Sequence, residues 1–446
     1  MPQPASPRSR CVFTSAGDRN AVAGWLPPDG TRDFDLFVAF YGEDDARFAE
    51  LSRLADRAWR IKGGKAQNLR ALVAAGELDL SPYAQVWLPD DDLLLDPADI
   101  PRLFDLAAHF GFAVCQPAFD PLGRVTWPIT AATGRDEARL TDYVEMTCPL
   151  FRREDLQAFL AVFDGSLSGW GLDLWFAHVL GADTPGRFGI IDAITVFNPH
   201  HRQKPGGGRE IDRLRPLPAR IAEFHAAAAR FGLPETRRGT CFGTLPLPPG
   251  WREANPQRPA PRRPLPSDGR FRPDEAALLA AALSPTPALV LQWGLDRLTA
   301  ALLRGGAAFV AALEPDRPWL RSCLADPVFA AAAAEGRLHA IGGRAARPPF
   351  PPEPALRARL RGRPCAPALL VAPEARFRDA LDHAEHLATE LGCPQPTRAV
   401  LGAARGVAPP PGWAQAAAGG RLVLLERRDE AAHTPPGRSR RAEPAA

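Results

Sequence analysis

Short apolar runs bounded by turn residues alternate with stretches of helical periodicity in the first half of this chain. That alternation limits the possible folds more than any other feature. Cys11-Val-Phe-Thr-Ser15 and Asp35-Leu-Phe-Val-Ala-Phe-Tyr41 are such runs, and helical patterns occupy 45–57, 65–75 and 99–110. Runs this short and this apolar read as strands buried on both faces. Strands separated by helices imply a parallel sheet with covered faces, an α/β fold. Ligands in open α/β sheets sit beyond the carboxyl ends of the strands. At one such end, after Ala84–Leu88, stand three adjacent carboxylates: Asp90, Asp91 and Asp92.

Adjacent like charges repel, so stability alone rarely selects them. Oxygen-rich clusters at a strand end suit a hard divalent cation such as Mg²⁺ or Mn²⁺, which in turn can hold a diphosphate. The alternative is a solvated turn leading into the helix that starts near Asp99.

Four further segments carry chemistry-bearing residues. Ile61-Lys-Gly-Gly-Lys-Ala-Gln-Asn68 pairs glycines, which let a backbone approach a ligand, with lysines that match phosphate; it also fits an ordinary strand-to-helix turn. The helix after it would aim its N-terminus at an anion. Val144-Glu-Met-Thr-Cys-Pro-Leu-Phe151 reads as a strand entering a helix, with Glu145 either a satisfied structural carboxylate or an acceptor contact. Ser168-Gly-Trp-Gly-Leu-Asp173 places Asp173 at a helix start, as a cap or as a general base. Trp170 would be a sugar platform or a core plug. The strand Ile190–Phe197 leads into Asn-Pro-His200-His201-Arg202-Gln-Lys204 and a glycine run, a set able to offer imidazole to a metal and cations to a diphosphate.

In this order, these segments resemble a little-characterised plant and bacterial family defined by a domain of unknown function. Its plant members are labelled lysine-ketoglutarate reductase trans-splicing related, and the family looks like GT-A glycosyltransferases. The resemblance covers about residues 9–210. It implies that Asp90 and Asp92, in D-x-D spacing, hold Mn²⁺ or Mg²⁺ with His200 or His201 as a late ligand. Lys65, Asn68, Asp91, Arg202 and Lys204 would line the nucleotide, and Asp173 would act at the acceptor. In this chain Phe197-Asn-Pro separates the strand from the histidines, and both histidines stay open as ligands. The implied partners are a nucleotide-sugar donor and a glycan or small-molecule acceptor.

A second α/β pattern begins with Ala288-Leu-Val-Leu-Gln-Trp-Gly294, continues with Phe309-Val-Ala-Ala-Leu-Glu314 and closes with Leu422-Val-Leu-Leu-Glu426. It resembles the start of a class I methyltransferase, and Glu374-Ala-Arg-Phe-Arg378 resembles a stretch of one methyltransferase-like group. Gln292 stands where an acid is expected, and Leu295, Asp296 and Arg297 replace small residues of the cofactor loop. A larger side chain there fills the space a cofactor needs, so a catalytically silent module without S-adenosylmethionine is expected. The fold expected overall is a GT-A-like, Rossmann-like domain at 9–235, a Pro/Arg-rich linker at 236–272, a second Rossmann-like domain at 273–428 and a disordered tail at 429–446.

The chain has 446 residues, enough for two cores, and a net charge of only +3, which argues against a dedicated nucleic-acid binder. Its seven cysteines are dispersed without C-x-x-C pairing, which points to reduced thiols. No apolar run reaches the roughly 18 residues of a spanning helix. A cytosolic protein is expected, with peripheral membrane contact left open. Arginine is the default cation: there are 51 Arg and three Lys, at 62, 65 and 204. A lysine kept on such a background can mark a place that needs a compact point charge. Two other functions compete with the transferase: a binding or scaffold protein with both domains degenerate, and an active methyltransferase guided by the first domain.

Overall fold

The computed structural model describes residues 8–135, 137–204, 211–256, 261, 271–284, 287, 289–342, 368–373, 377–391, 396–402, 409, 411–419 and 422–428. The chain divides into two compact units, residues 1–263 and 264–446. Each is a Rossmann-like α/β layer built on a largely parallel sheet.

The first unit contains β1 (Arg10–Ala16), β2 (Asp35–Phe40), β3 (Arg57–Arg60), β4 (Gln85–Trp87), β5 (Val114–Phe119), β6 (Glu137–Thr141), β7 (Leu150–Arg152), β8 (Phe188–Val196) and β9 (Cys241–Pro246). Their order across the sheet is β3-β2-β1-β4-β7-β5-β8-β6-β9. Strands β1 to β4 run parallel, and β7 and β6 run against their neighbours. Side chains of a strand alternate between faces, and here both faces are buried. Val12, Leu36, Val38 and Trp87 pack on one side with the helix Asp99–Phe110; Cys11, Phe13, Phe37 and Val86 pack on the other with Lys65–Ala74 and Arg153–Val162. This explains why the strands are apolar at successive positions.

The chain leaves β1 towards β2 and β3, then returns to the opposite side of β1 as β4. The crevice beyond the ends of β1 and β4 is therefore a topological switch point. The acidic triplet follows β4 directly.

Two expectations need correction. Val144–Phe151 is not a strand throughout: only Leu150–Arg152 is, and the residues before it form a loop whose carbonyls extend the pairing of β4, at Leu88 N to Pro149 O (2.8 Å) and Asp90 N to Thr147 O (2.7 Å). The segment assigned to a linker from 236 belongs in its first part to the sheet. Cys241–Pro246 pairs antiparallel with β6, and Arg102 donates to the Asn255 side chain (2.9 Å). An edge strand with one exposed face does not stand out against proline-rich surroundings. The rest of the assigned linker, at 257–260 and 262–270, lies outside the described residues, as do Glu374 to Arg376 and the tail from 429.

The second unit has β10 (Leu289–Trp293), β11 (Val310–Glu314), β12 (Leu338–Gly342), β13 (Ala368–Pro373), β14 (Arg398–Gly402), β15 (Trp413–Gly419) and β16 (Leu422–Arg427), ordered β12-β11-β10-β13-β14-β16-β15. Strands β10 to β14 are parallel, and β16 runs antiparallel between β14 and β15. Its switch point lies between β10 and β13.

Candidate functional site

Beyond the switch point of the first unit, the loops after β1, β4 and β8 meet the loop before β7. Thr14 donates to Pro89 O (2.9 Å), and the Gly17 amide donates to Asp91 Oδ2 (2.8 Å), tying β1 to the triplet. Trp25 Nε1 donates to Leu93 O (2.9 Å) and fixes the exit of that loop. The residues after β8 join from the other side: Leu94 and Phe197 exchange backbone hydrogen bonds of 2.9 and 2.8 Å. Phe197-Asn-Pro, which departs from the resembled pattern, thus makes the bridge that carries the histidine–lysine segment to the triplet.

Lysines clasp the acids. The Lys65 ammonium, 9% exposed, donates to Asp90 Oδ1 (2.8 Å), Leu88 O (2.6 Å) and Met146 O (2.8 Å). An ammonium has three protons, so these acceptors saturate it. Lys204, equally buried, pairs with Asp92 Oδ2. Lys62 donates to Tyr41 O (2.5 Å) and pairs with Glu43. All three lysines of the chain therefore stand at this edge of the sheet. Burial pushes the Asp91 carboxyl well above its ordinary value, and the charges of Asp92 and Asp90 add to this, while the Gly17 amide and Lys204 oppose it.

Asn68 is buried and donates to Ser15 Oγ (2.9 Å) and Gly63 O (3.1 Å), so its amide braces the Gly63–Gly64 turn. The glycine pair has a packing reason: a Cβ on Gly64 would lie 2.1 Å from the Ser168 carbonyl oxygen. The close backbone approach expected towards a ligand is made towards the Gly-Trp-Gly segment instead. At the start of the Lys65–Ala74 helix, the Gly64 amide donates to Gln67 Oε1 (3.0 Å), so the chain itself supplies that cap.

Asp173 is the second residue of the helix Leu172–Val179, behind an N-cap glycine with φ of +82°. Its carboxylate accepts from the Tyr143 hydroxyl (2.6 Å) and the Leu174 amide (3.0 Å). Burial raises its pKa, against the Tyr143 hydroxyl and the Leu174 and Met146 amides, which favour the charged form. The loop of Tyr143 and Met146 runs past both acidic positions, with the Tyr143 hydroxyl on Asp173 and the Met146 carbonyl on the lysine that holds Asp90. Glu145 lies beside them, 4% exposed. It accepts from the Thr130 hydroxyl (2.7 Å), and burial pushes its pKa up to about 7. Sequence reasoning missed Tyr143 and Thr130 and gave Met146 no role: nothing local marks a tyrosine whose partner is 30 positions away. Trp170 is exposed and packs one side against Phe224, with ring centres 5.1 Å apart. Asp192 of the Ile-Asp-Ala stretch is structural, held by Arg139 through 2.6 and 3.0 Å bonds.

The expected cation set was Asp90, Asp92 and either His200 or His201. His200 is buried at the start of a short turn, its amide donating to Gln203 Oε1 (2.9 Å). Among the described residues, no three His, Cys, Asp or Glu side chains gather as metal ligands. Oxygens of Asp90 and Asp92 already face ammoniums, so a divalent ion on these two carboxylates would have to displace both lysines. As arranged, these residues do not fit a resident divalent cation. The Arg202 side chain and the glycines from 206 to 208 lie outside the described residues.

In the second unit, Glu314 is fully buried. Its carboxylate accepts from the amides of Leu295 (2.9 Å) and Asp316 (2.9 Å). Leu295 is also fully buried, and its carbonyl accepts from Trp319 Nε1 (2.6 Å). Asp296 caps the helix Arg297–Arg304 through the Leu298 amide (2.8 Å).

No helix among the described residues is long and apolar enough to cross a membrane. No family model matches the chain, and no curated protein does. Among solved structures it is similar to Staphylococcus aureus TarS 1-349 in complex with UDP-GlcNAc, at 12% identity over 43% of this chain, with a TM-score of 0.33. The match spans 58% of that TarS chain's length. It is also similar to GalNAc-T7 with UDP, GalNAc and Mn²⁺, at 10% identity over 45% of this chain and 44% of the other, TM-score 0.34. The methyltransferase candidate yhhF of Escherichia coli matches at 14% identity over 37% of this chain and 92% of its own, TM-score 0.25. The chain is thus a two-unit α/β protein whose first unit carries a lysine-clasped acidic triplet, with a half-buried aspartate beside it, at the switch point of its sheet.

Proposed function

We propose that the first unit is a glycosyltransferase that moves a sugar from a nucleotide-sugar donor to a hydroxyl of a glycan or small molecule. The observation that carries this reading is the loop before β7: its Tyr143 hydroxyl holds Asp173, and its Met146 carbonyl accepts from Lys65, which pairs with Asp90. The ordered resemblance to a GT-A-like family supports it. Asp173 is the base: its carboxylate takes the acceptor proton as the acceptor oxygen bonds to the anomeric carbon. The bond from that carbon to the diphosphate oxygen breaks, and the nucleoside diphosphate leaves with the electron pair. Lys204 meets the charge that develops on it. Tyr143 fixes the orientation of the base by donating to Asp173.

We infer that the second unit is a non-catalytic module. Glu314, the acid that ends β11, accepts from the backbone amides of Leu295 and Asp316, and Leu295 occupies the loop that should be open.

The test is a panel of nucleotide sugars offered to the full chain, read by thermal shift and by release of nucleoside diphosphate. One donor should raise the melting temperature and be turned over. Asp173→Asn should keep the shift and lose turnover by about 10²–10⁴-fold. Folded protein that responds to no donor would overturn the reading.

A further inference from the structure

The acidic triplet meets ammonium groups at the place where a transferase of this proposed kind would hold a metal ion. Building on the reading that this edge binds a nucleoside diphosphate, we propose that the Lys204 ammonium takes the cation's position. The site would then exclude divalent metal and bind the diphosphate without it.

Three observations carry this. The Lys204 side chain is 8% exposed and paired with Asp92, itself 20% exposed, so the ammonium is seated inside the acidic loop and not on its rim. A desolvated charge is held there because its counter-charge is in place. The second observation is the contrast between the two clasping lysines. Lys65 is saturated by Asp90 and backbone carbonyls, whereas Asp92 is the acceptor that the described residues give Lys204. Among the described residues Lys204 therefore keeps N–H donors that can turn to phosphate oxygens, while Lys65 has all of its donors on Asp90 and backbone carbonyls. The third is residue choice. Arginine supplies 51 of the 54 basic residues, yet among the described residues Asp90 and Asp92 form their ion pairs with lysines. A compact ammonium fits between a carboxylate and a phosphate, where a planar guanidinium needs more room.

The test uses the full chain, stripped with EDTA and desalted. Mn²⁺ is titrated in and its free signal followed by electron paramagnetic resonance. The wild type should leave the signal undiminished. Lys204→Met, which removes the charge and keeps the length, should release Asp92 and take up the ion. In parallel, UDP, GDP and ADP are titrated calorimetrically in EDTA and in Mn²⁺. One of them should bind the wild type with equal affinity in both buffers. Lys204→Met should bind it at least about tenfold more weakly in EDTA and recover in Mn²⁺. Uptake of Mn²⁺ by the wild type, or nucleotide binding only when Mn²⁺ is present, would overturn the proposal while leaving the transferase reading intact. If no nucleotide binds in either buffer and the wild type still ignores Mn²⁺, the nucleotide reading fails and metal exclusion stands. Circular dichroism checks the fold of the variant; should it not fold, the wild-type resonance titration still decides.

Discussion

Glu145 is a buried carboxyl and Asp173 a half-buried one, and each gives a measurable pH effect. Glu145 has its pKa raised to about 7 from an ordinary 4.5, chiefly by burial. The folded state therefore holds this proton more tightly than the unfolded state. The stabilisation is full below the ordinary value and lost as pH rises through about 7. Complete loss amounts to roughly 3 kcal/mol. Glu145→Gln, which is neutral at every pH, should gain melting temperature relative to wild type between pH 5 and pH 8; a gap that stays constant or shrinks would sink this account. Asp173 must be ionised to act as a base, and burial displaces its titration upward. Turnover should therefore fall on acidification at a pH above the ordinary carboxylate range. Tyr143→Phe, which removes a hydrogen bond favouring the charged form, should move that limb higher still. A limb that stays put in the pH–rate profile of the variant would argue against Asp173 as the base. The acids themselves are legible in the sequence as charges in apolar or glycine-rich settings. Their partners are not, because Thr130, Tyr143 and Met146 are recruited by folding.

At the scale of elements, buried strands announce themselves and edges do not. β1, β2, β8 and the first three long helices fall where the apolar runs and periodicity place them. Arg57-Ala-Trp-Arg60 escapes because its outer residues are exposed, and Cys241–Pro246 because it sits amid prolines and is partly solvated. Loop glycines carry the tertiary contacts of the site. Gly64→Ala would drive a Cβ into the Ser168 carbonyl, which is backbone and cannot swing away. It should cost about 1–3 kcal/mol and disturb Lys65, which starts the next helix. Gly24→Ala, with open space around it and no positive φ, is the matched control and should be near neutral. Chemical denaturation of both variants checks the pair, and equal losses would contradict the packing argument.

For the whole molecule, two sheets with separate cores imply two folding units. A fragment ending at residue 263 should melt cooperatively by itself and keep whatever nucleotide affinity the full chain shows; calorimetry on the fragment decides this. By itself the sequence determined the α/β class, the two units and the position of the acidic triplet at a strand end. Each of these follows from short-range pattern: apolar runs, helical period and turn residues read along one stretch of chain. The tertiary structure alone decided what the triplet faces. Lys65 lies 25 positions before Asp90, and Lys204 lies 112 positions after Asp92. Composition could hint that the lysines were special, but only strand order could bring them to the same edge. That order turned the expected metal cradle into a carboxylate–ammonium clasp, because a charge takes its role from its nearest counter-charge and not from its neighbours in sequence.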